Sequence, residues 1–529
     1  MDAAAVLLLL LLLAVAVVLL VRHRTASGNY CPYPNPVLGN LVPLIRNFHR
    51  FPDWATDLLG AAPSSTMEVR GPLGVGTGVA TADPCAVDHM LRASFPIYVK
   101  GTRFAGPLGD LLGRGLFLVD GRLWSLQRKL ASHSFSSRSL RRFNARVLRA
   151  HLHRRLLPLL ADHAAAADDA VVDLQDVLKR FAFDNICSVA FGIDSSTLMA
   201  TDVQHEAFFK AFDDAVEISF ARLFHPTTLV WRAMRLAGVG SERRLRESIA
   251  VIDDYVAAMI SESAERGNEE EEGHCLLSRF KAAVMEEEEE EREEIGGELG
   301  AMFNTPEAKR RFLRDIVVSF VLAGKDSTSV ALTWLFWLLA ANPRCERRVH
   351  HELVQLEGDD DDDEDQNLMM MMKGNRRRMP YLTAAITEAM RLYPPVPINS
   401  RVAAAADTLP DGTEVRAGWF ADYSAYAMGR MPRLWGSDCQ VFRPERWLDD
   451  AGEFVAADAA RYPVFHAGPR ACLGKEMAYV QMKAVAAAVI RRFKVETVRP
   501  ATMDKPPPYK MAVTLRMKDG LPVRIRRRE

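Results

Sequence analysis

The chain has 529 residues, 49% of them hydrophobic and 26% charged, a globular composition that excludes disordered and fibrous classes. Lys plus Arg number 67 against 68 Asp plus Glu, for a formal charge of -1, so there is no bulk positive field to hold nucleic acid. A mean hydropathy of -0.06 excludes a polytopic membrane protein and leaves room for one span.

That span lies at the start. Ala3 to Val21 are uninterrupted apolar residues, enough for a helix of roughly 28 Å, close to the thickness of a hydrocarbon core. A cleaved signal peptide would carry its positive charge before a shorter apolar run. Here Asp2 precedes the run and Arg22, His23 and Arg24 follow it, so residues 3–21 read as an uncleaved anchor with the remainder on the cytoplasmic side. Residues 22–36 form a basic hinge with alternate prolines, Cys31-Pro-Tyr-Pro-Asn-Pro36, which holds the backbone extended. The folded domain is expected over 37–529. No linker interrupts it, which argues for one large unit.

The periodicity from there on is mostly helical, as in Leu140 to Leu160 and Val172 to Phe191. The segments Val75 to Ala80, Thr413 to Val415 and Ala512 to Leu515 read as strands. The expected fold is mainly α with small β-sheets. Acidic runs at Glu269 to Glu272, Glu286 to Glu291 and Asp359 to Asp365 are too charged to pack and read as solvated loops. The aspartate run lacks the spacing of a calcium loop. Met369 to Met372 and Arg376 to Arg378 extend the low-complexity stretch. Gly71 to Gly78 fits neither GxGxxG nor a P-loop, and His151 and His153 lack zinc-helix spacing.

Seven cysteines are scattered without a CxxC pair, against a disulfide framework or structural zinc. One has a distinctive setting. Phe465-His-Ala-Gly468-Pro-Arg470-Ala-Cys472-Leu-Gly474 runs into a helical pattern, Lys475 to Phe493, so a Cys472 thiolate would meet free backbone N–H groups and the positive end of a helix dipole. Gly468 and Gly474 allow tight turns and the approach of a flat ligand, Phe465 shields the sulfur, and Arg470 can reach an acid.

This segment resembles the haem signature Phe-x-x-Gly-x-Arg-x-Cys-x-Gly of the cytochrome P-450 superfamily. The resemblance implies that fold, with Cys472 as the axial ligand of haem b iron, an electron-rich thiolate that favours O–O cleavage. Glu388-Ala-Met-Arg391 sits on a helical run after Pro380, its spacing placing both charges on one face. With Arg446 of Phe442-Arg-Pro-Glu-Arg446-Trp447 it resembles the family's Glu-Arg-Arg cluster, a structural network that locks the cysteine loop.

Arg311 to Ala341 reads as one long helix ended by Asn342-Pro343. Gly324 in its middle costs about 1 kcal/mol against alanine, and Asp326, Ser327 and Thr328 are poor core residues. In the family this helix crosses the haem, its glycine making room for oxygen and an acid–alcohol pair relaying protons. Asp326 matches the acid. The usual threonine after it is Ser327 here, with Thr328 next, so the two hydroxyls share that expectation. Trp124-Ser-Leu-Gln-Arg128 resembles the family's Trp-x-x-x-Arg, whose side chains meet a haem propionate, and Arg401 stands where another propionate partner occurs.

Gly109 to Phe117, Tyr462 to Gly468 and Lys475 to Lys483 resemble the plant fatty-acid ω-hydroxylase branch, family 94, in which some members oxidise the jasmonoyl-isoleucine hormone. The resemblance implies a monooxygenase anchored in the endoplasmic reticulum membrane, fed from NADPH by a separate reductase, acting on an apolar acyl substrate with O₂. Terminal attack needs a narrow apolar channel, expected from Phe104 to Phe117, Phe208 to Phe224, Val318 to Ala323, Val396 to Ile398 and Lys510 to Val513. A reductase-independent hydroperoxide rearrangement and a non-catalytic haem sensor are the alternatives.

Overall fold

The computed structural model describes residues 31, 35, 37–136, 138–166, 170–199, 202–225, 228–266, 275–285, 294–356 and 379–528. The expected anchor at 3–21, nearly all of the hinge, the three acidic runs, the methionine run and Arg376 to Arg378 lie outside the described residues.

Helices dominate what is described. Those that build the site are α1 (Gly101–Leu112), α2 (Gly121–Ser136), α3 (Leu174–Ile186), α4 (Val203–Ala221), α5 (Gly240–Arg266), α6 (Leu276–Met285), α7 (Pro306–Ala341), α8 (Pro380–Leu392) and α9 (Lys475–Arg492). The long helix α7 starts five residues before the expected Arg311, and its start has a local cause. The Thr305 hydroxyl accepts the Ala308 N–H at 3.1 Å, and Pro306, with no N–H to satisfy, stands at the first helical position. It ends at Asn342-Pro343, as expected.

The helix is long and apolar enough to cross a membrane, but 83% of its most apolar window is buried inside the protein. It is the spine of the core. Its C-terminal half belongs to a cluster with α8 and α9, where Trp334 stacks on Tyr393 at 3.8 Å. Its N-terminal half belongs to a second cluster with α1, α4, α5 and α6. Between the halves the helix widens into a π turn over Leu322–Asp326, a feature that tends to mark functional sites.

The strands form four small sheets among the described residues. The largest runs Thr66–Val69, Gly78–Thr81, Phe420–Ser424, Ile398–Ala403, Tyr98–Val99, with one parallel pairing between the second and third. Two strand expectations need correction. The second strand starts at Gly78, because Pro72–Gly74 is a turn and Gly76 has φ +69°. Ala512 to Thr514 is the reversal of a hairpin between Tyr509–Met511 and Leu515–Met517, pinned where Leu515 N–H donates to the Pro395 carbonyl at 3.0 Å. Glu414–Val415 is a strand, within the expected Thr413 to Val415.

Candidate active site

The cysteine loop is set by backbone geometry. Gly468 has φ +65°, and a Cβ there would fall 1.9 Å from the Leu91 carbonyl oxygen, so only glycine fits this close approach. His466, at φ +59°, is held in a conformation side chains rarely adopt. Cys472 N–H donates to the Phe465 carbonyl at 2.8 Å, closing the loop on itself. The Phe465 ring lies 5.5 Å from that of Tyr479 on α9. Gly474 has an ordinary backbone, and a Cβ on it would lie 4.0 Å from both Cys472 Sγ and Phe135.

Cys472 is accessible, yet burial raises its thiol, opposed by the Gly474 backbone N–H, Arg128 and Lys475. The sulfur is thus exposed while the surrounding protein is close enough to desolvate it. The helix-terminal groups favour the thiolate as expected but do not outweigh desolvation; a coordinating metal deprotonates such a sulfur outright.

Around the loop stands a cage of cations. The Arg470 guanidinium covers the Trp124 ring at 4.4 Å and donates to Asp120 Oδ1 at 2.6 Å. Arg128 donates to the Ala471 carbonyl, next to the cysteine. Arg401 is 1% exposed, donates to the Ser400 carbonyl at 2.8 Å, and leaves its Nε without a partner. Sequence reasoning missed Lys100, Asp120 and His466. Burial together with Arg401 and Arg470 pushes Lys100 well below the usual lysine range. Burial, Arg401, Lys100, Arg128 and Arg470 do the same to His466, whose Nδ1 meets the Tyr423 hydroxyl at 2.7 Å. Arg470 is held down to about 10, by burial and then by Arg401 and Arg128, against the pull of Asp120. Asp120 in turn accepts the Lys100 and Gly101 N–H groups at 3.0 Å each. Cations that depress one another, one with an orphaned buried N–H, make a site for added negative charge. The two propionates of haem fit it.

Behind the loop, the expected Glu388, Arg391 and Arg446 meet. Arg391 grips Glu388 with two parallel bonds of 2.7 Å, and Arg446 Nε reaches the same carboxylate at 3.4 Å. The Trp447 indole donates to Glu388 at 2.8 Å and the Arg443 N–H at 3.0 Å, two partners that sequence reasoning did not name although both lie in the quoted segment. Arg391 also donates to the carbonyls of Gly429, Cys439 and Val441.

Phe135, which neighbours Gly474 of the loop, stacks on Phe320 at 6.2 Å, two residues before the π turn of α7. Asp326 Oδ1 lies 2.6 Å from the Nζ of fully buried Lys325, which also donates to Asp213 Oδ1 on α4 at 3.3 Å. Burial alone would lower Lys325, but Asp326 and Asp213 outweigh it and hold the amine above the usual range. Arg516 of the C-terminal hairpin reaches Asp213 Oδ2 at 2.8 Å. The Ser327 hydroxyl donates to the Ala323 carbonyl at 2.6 Å, whereas Thr328 makes no hydrogen bond among the described residues.

Packing adds to one expectation about this wall and changes another. A Cβ on Gly324 would fall 2.5 Å from Ile186 Cγ1, so the missing side chain makes room for α3. Phe208 and Phe212 are fully buried in an aromatic cluster with Phe183 and Tyr255, so they are core and not channel lining.

A family model described as Cytochrome P450 matches residues 31–521. Similar curated proteins include Cytochrome P450 CYP94D108 of Paris polyphylla, 42% identical over 491 residues, covering 92% of this chain and 90% of the relative. Cytochrome P450 94A1 of Vicia sativa is 37% identical over 505 residues, covering 94% and 91%. Cytochrome P450 94B1 of Arabidopsis thaliana is 40% identical over 518 residues, covering 96% and 93%.

Proposed function

This chain belongs to the cytochrome P450 family and is a monooxygenase, and from that premise we propose that it hydroxylates the terminal carbon of a fatty acid. The observation that carries the chemistry is exposed Cys472 beside a cage of mutually depressed cations. The substrate class is supported by the family-94 likeness of three sequence stretches and by relatives whose names carry that number.

Haem, when bound, supplies activated dioxygen, and the protein supplies binding, orientation and protons. Cys472 Sγ would hold its iron, with Phe465, Gly468 and Gly474 shaping the loop. Trp124, Arg128, Arg401 and Arg470 would hold its propionates, and Lys100 and His466 would complete the cage. Glu388, Arg391 and Arg446 fix the loop from behind. Asp326, whose Oδ1 lies beside Lys325 Nζ, handles the proton. Ser327 is the partner hydroxyl: it follows Asp326 directly, and its Oγ bonds to the Ala323 carbonyl within the widened turn. Residues 3–21 anchor the chain to the endoplasmic reticulum with the domain at 37–529 in the cytoplasm, and an NADPH-dependent reductase on that membrane delivers electrons.

The test gives the purified protein and a reductase a panel of fatty acids and jasmonoyl-isoleucine, with products identified by mass spectrometry. The expected result is ω-hydroxy acid, lost together with the thiolate-type carbon monoxide spectrum in Cys472→Ala. Turnover of jasmonoyl-isoleucine alone, or of a hydroperoxide without reductase, would replace this reading. Haem binding with no oxidation would leave a sensor.

A further inference from the structure

A cavity of about 670 Å³ opens between the end of α1, the helices α5 and α6, and the first turns of α7, a volume typical of ligand pockets. It is remote from the cysteine loop. Arg314 on its wall precedes Gly324 by ten residues, about 15 Å of helix rise. The seam between α1 and α7 is closed there: a Cβ on Gly113 would fall 2.0 Å from the Asp315 carboxylate, and one on Gly115 would fall 2.2 Å from the Ser319 hydroxyl.

The lining has two chemistries. Leu245, Ile249, Ala257 and Ile260 recur at helical spacing along one face of α5, and Met285 and Leu313 continue this apolar stripe. Beside it stand seven arginine and lysine side chains against four carboxylates. Part of that charge is internally paired. Arg222 grips Glu242 and also meets Asp110 at 2.9 Å, and Arg235 meets Asp110 at 3.0 Å. Arg314 meets Asp253 at 2.6 Å and Asp315 at 3.1 Å, and Arg310 meets Glu307, outside the lining, at 3.0 Å. Three cations are left over: Arg246, Lys281 and Arg311 have no carboxylate within 4.0 Å among the described residues. Arg314 adds a buried Nη2 that has no hydrogen-bond partner.

We propose that this cavity is a second binding site, for a single-chain fatty-acid anion. The carboxylate sits on Arg246 and Arg311 with the spare N–H of Arg314, because arginine forks match a carboxylate in two bonds. The chain lies along Leu245, Ile249 and Ile260. The lining alone selects the occupant, so the site stands apart from the proposed reaction: it holds an acyl chain outside the oxidising pocket.

The test irradiates full-length holoprotein in phospholipid nanodiscs with dodecanoic acid carrying a mid-chain diazirine, while a haem-ligating azole fills the oxidising pocket. Peptide mapping should place the label within residues 245–261 and 310–315. Arg246→Glu with Arg311→Glu should lower it about tenfold, and the paired lysine substitutions should retain it. Diazirine dodecanol, which lacks the carboxylate, should not label above background. Both substituted arginines are exposed, and an unchanged carbon monoxide spectrum reports that the variants remain folded and haem-loaded. Equal labelling by the alcohol, or labelling indifferent to charge reversal, would reduce the cavity to a greasy surface and overturn the proposal. So would labelling that appears only once the acidic run 286–291 is changed to glutamine, since the chain's own glutamates would then be the occupant. The readout is covalent labelling, so absence of ω-hydroxylation in the product assay would refute the proposed function and leave this site standing.

Discussion

Two buried ion networks flank the cysteine loop, and they are built to opposite standards. Behind it, Glu388 has two parallel bonds from Arg391, plus the Trp447 indole, the Arg443 N–H and Arg446, while Arg391 spends its other N–H groups on three carbonyls. In front of it, Asp326 sits 2.6 Å from Lys325 Nζ, but Oδ1 makes no directional hydrogen bond, and Lys325 is shared with Asp213 on another helix. A fully satisfied network has one arrangement and holds it; a partly satisfied one can exchange partners and protons. The difference predicts a scaffold behind the loop and a proton-handling group in front of it.

The sharpest way to break that contrast is to remove the carboxylate behind the loop. Glu388→Ala leaves Arg391 and Arg446 buried without a counter-charge and should cost about 3–5 kcal/mol of stability. Haem-loaded protein should fall steeply, as read by the carbon monoxide spectrum per mole of chain and by the unfolding midpoint. A variant with normal haem content and midpoint would make the rear network dispensable. Substitutions in front should do the reverse, sparing the fold and slowing the reaction. Asp326→Asn should lower coupled hydroxylation about a hundredfold and Ser327→Ala about tenfold, both diverting electrons to peroxide, with Thr328→Ala close to wild type. Product and peroxide assays distinguish them, and a larger loss in Thr328→Ala would move the role to that hydroxyl.

The same contrast explains what could be read from the chain. The loop Phe465 to Gly474 and the pair Glu388 and Arg391 are local patterns, and Arg446 stands in a quotable segment. The front network is not local. Asp213 lies 112 residues from Lys325, and Arg516 comes from the last hairpin, so nothing in the spacing joins them. Lys100 and Asp120 are invisible for a related reason: each is an ordinary surface residue until tertiary structure gathers it into the charge group around Arg470. Gly324 is a subtler case. A glycine in mid-helix needs a cause, and one cause is Ile186 on α3, which only the packing of two helices reveals. Phe208 and Phe212 mislead in the opposite sense, since an aromatic run on a helix looks the same from sequence whether it lines a channel or fills a core.

The smallest expected effect tests whether the front network is ionic at all. Lys325 is charged in a fully buried place: burial pulls its amine down, and Asp326 and Asp213 more than reverse this. A base whose value is raised on folding binds its proton more tightly in the folded chain. Its stabilising contribution is thus complete below its ordinary value, 10.5, and fades as pH rises through the higher folded value. Lys325→Met removes that contribution at every pH, while Asp213 keeps Arg516 at 2.8 Å. The difference in urea midpoint between wild type and Lys325→Met should therefore stay constant from pH 8 to about pH 10 and narrow above that. Other lysines and tyrosines titrate equally in both proteins and cancel in the difference. A gap that stays level to pH 11 would mean that Lys325 contributes by packing its stem rather than by charge, and the front network would lose the cation that holds Asp326 ready.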